Sequence, residues 1–108
     1  MKYFKVPLYH AQIIVMQPKE YVKKFPKNWH DGTMAQVYSF EGDIYMCFDP
    51  KFLTPGTIAH ECLHAAMLIF CEKEIDVTPQ HDEHLAYLLE FIYQNVYDIM
   101  YPNKGSKK

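Results

Sequence analysis

With 108 residues, the chain is long enough for one domain with a real core and too short for two. Hydrophobic residues make up 49% and aromatic residues 16%, with nine Tyr and seven Phe, a composition that excludes an intrinsically disordered chain. The net charge of −2 conceals a basic first third and an acidic remainder without a single Arg, which excludes bidentate guanidinium contacts and, with them, nucleic acid as the main partner.

At the N-terminus, "MKYFKVPLYHAQIIVM" is interrupted by Lys5, Pro7 and His10 and so lacks the unbroken apolar stretch of a signal peptide. No run approaches the length of a membrane span, so the expectation is a cytoplasmic protein with no membrane partner. "YHAQIIVM" reads as a buried strand ending at Pro18. "PKEYVKKFPKNWHDG" reads as a short helix or turn followed by a loop. "MAQVYSF" and "DIYMCFD" are strand-like runs joined by Glu41-Gly42, which predicts a hairpin near 34–49.

The period then changes. Thr54 is a candidate N-cap with Pro55 at the first helical position, and Ala59, Cys62, Leu63, Ala66 and Phe70 keep helical spacing. Residues 74–77 break the pattern. Thr78-Pro79 repeats the cap chemistry, and a second helix carries Leu85, Leu88, Leu89, Ile92 and Val96 as its core stripe until Tyr101-Pro102. The predicted architecture is α+β, a small antiparallel sheet packed on two helices over residues 1–101, with a basic tail at 102–108. Cys47, Cys62 and Cys71 lack CxxC spacing and are expected to be buried thiols, not a zinc cage or disulfide framework.

The predicted first helix carries His60-Glu61-x-x-His64. Residues four apart share a helix face, so the two imidazoles can converge on one Zn²⁺, with the Glu61 carboxylate placed to take a proton from a bound water. The acidic second half of the chain suits such a cation. Glu61-x-x-His64 also fits half of a carboxylate-bridged di-iron site, but that site wants a second ExxH and the chain has none. A third zinc ligand is needed, and His81, Asp82, Glu83 and His84 are the candidates at the next helix start. Helical rise carries the chain about 14 Å beyond His64 and about 6 Å back to Glu83, and an extended connection spans the remaining ~8 Å. Glu83 can therefore come level with His64. His10 and His30 read as incidental.

His60-Glu61-x-x-His64 followed after eighteen residues by Glu83 resembles the gluzincin pattern of zinc metallopeptidases. At whole-chain scale the sequence is similar to short zincin-like peptidases encoded by phages and prophages, many of which pair the HExxH helix with a helix like Asp82-Glu83-His84-Leu85-Ala86-Tyr87. The motif resemblance spans residues 43–92. It implies a minimal zincin-like domain, Zn²⁺ as cofactor, His60, His64 and Glu83 as ligands, and a peptide or protein substrate in the host cytoplasm. It also implies a substrate-aligning edge strand, at "DIYMCFD". Gluzincins commonly place Asn before the third ligand and, in some branches, Asp four residues after it; this chain has Asp82 and Tyr87 there.

From the residues themselves, Glu61 is the expected general base and Tyr87 the first choice for meeting the developing oxyanion, with His84 or His81 second. Asp82 is a candidate partner for a ligand histidine. A peptide substrate is expected along an edge near 44–48, with Tyr45, Phe48 and Phe52 as subsite rings. The second reading is a non-catalytic zincin-like domain that binds a host or regulatory protein.

Overall fold

Two strands carry apolar residues at consecutive positions, and the structure buries both of their faces. They are β2 (Ala11–Met16) and β4 (Asp43–Phe48) in a computed structural model that describes residues 1–102. In β4, Ile44, Met46 and Phe48 enter the larger core while Tyr45 and Cys47 enter a smaller one on the opposite face; β2 divides its residues likewise. Such double burial is the mark of interior strands. β2 and β4 pair in parallel at the centre, with β1 (Lys2–Val6) antiparallel to β2 and β3 (Ala35–Phe40) antiparallel to β4. The sheet order is β1-β2-β4-β3.

The α+β architecture and the hairpin stand as predicted. Glu41 and Gly42 form its turn at φ 51° and 85°, the left-handed pair that a two-residue hairpin requires. The sheet is mixed, not wholly antiparallel. β1 is a strand for which the sequence reading offered no element, although Phe4 and Val6 pack toward the core while Tyr3 and Lys5 are exposed. The largest correction concerns the edge. "DIYMCFD" is an interior strand bonded on both sides, and the edges of the sheet are β1 and β3. Tyr45 and Phe48 are accordingly buried core rings, and of the three predicted subsite residues only Phe52 is exposed.

Three helices cover the sheet. Helix α1 (Pro18–Lys24) lies on the smaller core, where Tyr21 and Phe25 meet Ile14, Met16, Tyr45 and Cys47. Helices α2 (Pro55–Glu72) and α3 (Asp82–Met100) pack side by side on the other face, α2 against β3 and α3 against β1. Thr54 caps α2 by accepting from the Thr57 N–H at 3.0 Å, and Pro55 occupies the first turn, as read from the sequence. The helix stops in a paired C-terminal lock: Ile75 N–H donates to the Phe70 carbonyl at 2.8 Å and Glu74 N–H to the Cys71 carbonyl at 3.1 Å. Glu74 holds the left-handed position, φ 58°, that glycine usually fills. No described helix is long and apolar enough to cross a membrane. Of the tail expected at 102–108, all but Pro102 lies outside the described residues.

Candidate functional site

Ile58, Cys62, Ala65, Ala66, Ile69 and Phe70 are the buried apolar stripe of α2, and Glu61 is buried beside them. At 9% exposure, Glu61 is the only buried charged residue among the described residues. An ionised carboxylate in such a position costs free energy unless something nearby compensates it. Burial pushes its carboxyl above the ordinary carboxylate range, and the neighbouring His60 and His64 pull it partly back. The two imidazoles are exposed, one turn apart, with ring centroids at 4.9 Å and planes at 72°. One helix thus brings two imidazoles and a buried carboxylate together.

Their surroundings come from the β3 side. One depression, of about 610 Å³, joins His60 and Glu61 to Gly32, Thr33, Met34 and Ala35 and to the start of α2 at Thr54, Gly56 and Thr57. An adjoining hollow, of about 400 Å³, joins Glu61 and His64 to Ala35, Gln36, Val37 and Leu68. Ala35 and Glu61 line both parts of the groove, so it runs along α2 beside the edge strand with Glu61 at its waist. Beyond it, the Ser39 hydroxyl donates to the Glu72 carboxylate and ties β3 to the end of α2.

The remaining predicted site residues lie elsewhere. Glu83 sits exposed in the first turn of α3. His84 and Tyr87 line a separate hollow with Val6, Pro7, Leu8, Tyr9, Leu88 and Phe91, which is almost wholly apolar. His81 caps the turn before α3: its Nδ1 lies 2.8 Å from the Asp76 carbonyl, so it donates there, and 3.3 Å from the Thr78 hydroxyl. Asp82 is exposed and opens α3, where its charge complements the helix N-terminus. Among the described residues no three His, Cys, Asp or Glu side chains are grouped to hold a metal. His60 and His64 thus fit two positions of a zinc site, and Glu83 is not gathered with them.

Helical rise sets height along the two helices but not the azimuth at which their side chains face. On α2, Glu61 and His64 face the β3 groove, whereas the Phe70 ring meets Tyr9 of the β1–β2 connection at 6.1 Å. Since β1 and β3 are opposite edges of the sheet, α3 over β1 stands on the far side of α2 from the groove. Of the cysteines, Cys47 and Cys62 are the expected buried thiols, each pushed up to about 12 by burial, while Cys71 is exposed, contrary to expectation. Sequence reasoning missed the groove wall at 32–37; its one signal was Gly32 ahead of a strand-like run.

Compared with family models, curated proteins and solved structures, the chain matches none of them.

Proposed function

We propose that the protein is a zinc-dependent hydrolase that cleaves peptide bonds. The observation that carries this reading is the buried Glu61 between two exposed histidines, opening onto a groove beside a free strand edge. Zn²⁺ at such a pair supplies polarisation of a carbonyl and acidification of a water. The chain's own residues do the rest. Glu61 accepts the proton of the attacking water and returns it to the leaving amine. The outer edge of β3 offers backbone N–H and C=O groups along which an extended peptide adds as a further strand. That moves the substrate track from residues 44–48 to residues 35–40.

The test separates metal binding from chemistry. Glu61→Gln is expected to keep the zinc content of the wild type and to lose about 10²–10⁴-fold in peptide hydrolysis. Undiminished hydrolysis by that variant, or a protein that stays metal-free after zinc-replete expression, sinks the proposal.

A second reading, a zincin-like domain that binds a protein without cleaving it, is favoured by the absence of a grouped third donor among the described residues. It expects no hydrolysis from the wild type and partner capture that Glu61→Gln leaves unchanged.

A further inference from the structure

Val6 pairs with Ala11, so residues 7–10 form the turn that joins β1 to β2. Within it Leu8 has φ 74° and His10 φ 51°. A left-handed backbone is uncommon for any residue with a Cβ and an outlier for a bulky one such as Leu. Glycine would hold the position without that strain. Leu8 gains little burial in exchange, because it is 90% exposed, the most of any large hydrophobic residue described. Local strain of this kind clusters where a side chain meets a ligand or a partner.

The apolar hollow lies against this leucine, between the turn and α3, with a volume of about 230 Å³. Pro7 and Leu8 line it from the turn and His84 and Tyr87 from the helix, all four exposed, while Leu88 is buried and Phe91 half-buried. A protruding aliphatic side chain and a recess that suits one therefore share one face of the molecule. The charges around them are also of opposite sign. Residues 82–100 contain Asp82, Glu83, Glu90 and Asp98 and no Lys or Arg, and all four acids are exposed. On the turn side, Lys5 shares a depression with Pro7, Leu8 and Asp43. Among the described residues neither Lys5 nor any of the four acids of α3 forms an ion pair within the chain.

We infer that this face binds a second copy of the chain, two molecules meeting about a two-fold axis with Leu8 of each in the apolar hollow of the other. A two-fold contact uses the same patch on both molecules, so it requires a surface that complements itself. This one does so in shape, by the leucine and the hollow, and in charge, by Lys5 on the turn side and the acids of α3. A small apolar molecule would fill the hollow but would leave the exposed Leu8 and the opposed charges without a counterpart. The inference is independent of the metal reading, because the groove at Glu61 lies on the other flank of α2.

The experiment is sedimentation equilibrium of the full chain over a concentration series reaching about 0.5 mM. It compares the wild type with Leu8→Gly, with the double variant Glu83→Lys/Glu90→Lys, and with Val22→Ala on α1, which lies on the opposite face of the sheet. Every substituted residue is exposed, and glycine suits the backbone at position 8, so folding is expected to survive and is checked by thermal melting. The wild type is expected to form dimers, and Leu8→Gly to weaken them at least about tenfold without lowering the melting temperature of the dilute monomer. The lysine double variant should weaken them as well, and Val22→Ala should match the wild type. A wild type that stays monomeric throughout overturns the inference and leaves the hollow to a different molecule. Undiminished dimers in Leu8→Gly overturn it too, by placing the contact elsewhere, as does an equal loss in Val22→Ala.

Discussion

The two flanks of α2 differ in almost every physical respect. Toward β3 lies a groove of mixed lining with a buried carboxylate and two exposed imidazoles. Toward α3 and the β1–β2 connection lies an apolar hollow, above which Leu8 protrudes at 90% exposure in a left-handed conformation. The α3 flank adds the apolar burial that stabilises the fold: Phe70, Leu88, Ile92 and Val96 all belong to the larger core. The β3 flank spends some of that stability on a charge withheld from water. The contrast teaches that one helix can bury apolar side chains beside Leu88, Ile92 and Val96 of α3 on one flank and present a carboxylate and two imidazoles on the other.

Substitutions on the two flanks can break or sharpen this contrast. Phe70→Ala, on the α3 side, is expected to cost about 3–5 kcal/mol in denaturant unfolding, as for other buried rings. A loss below 1 kcal/mol would mean that the flank is not the anchor described. Glu74→Gly at the end of α2 is expected to raise stability by about 1 kcal/mol, because glycine takes the left-handed position without strain; an unchanged unfolding midpoint would remove the strain from that stop.

The third change probes the groove, in chelator-treated protein. Glu61 has a folded-state pKa raised mainly by desolvation, so its stabilising share is fully present below its ordinary value of 4.5 and is lost as pH rises through the raised folded value. Glu61→Gln should therefore melt above the wild type at neutral pH, and the gap should close on acidification. A gap independent of pH contradicts the buried-carboxylate account. The smallest effect is expected of Tyr87→Ala, at a residue 64% exposed and outside the groove: within about 0.5 kcal/mol of the wild type in stability and with hydrolysis unaltered. A large loss of hydrolysis would return Tyr87 to the site.

Much of this was legible in the residues. Glu41-Gly42 announced its hairpin because few residue pairs adopt that turn, and Thr54-Pro55 announced the start of α2 because cap chemistry is local. His60 and His64 had to share a helix face for the same reason. The edge strand was not legible. An apolar run such as Ile44–Phe48 reports that both faces are buried, but not which strands are its neighbours.

By itself, then, the sequence determined the α+β class, the hairpin, the capped helix and the pairing of two imidazoles with a carboxylate, all consequences of backbone geometry over a few residues. Tertiary structure alone decided that β2 and β4 lie parallel at the centre, that β3 is the edge beside the histidines, and that α3 stands across α2 from them. Those outcomes depend on which apolar faces cover one another across the whole chain. The rise of a helix can be counted in residues, but the side on which its neighbour packs is set by the sheet beneath both.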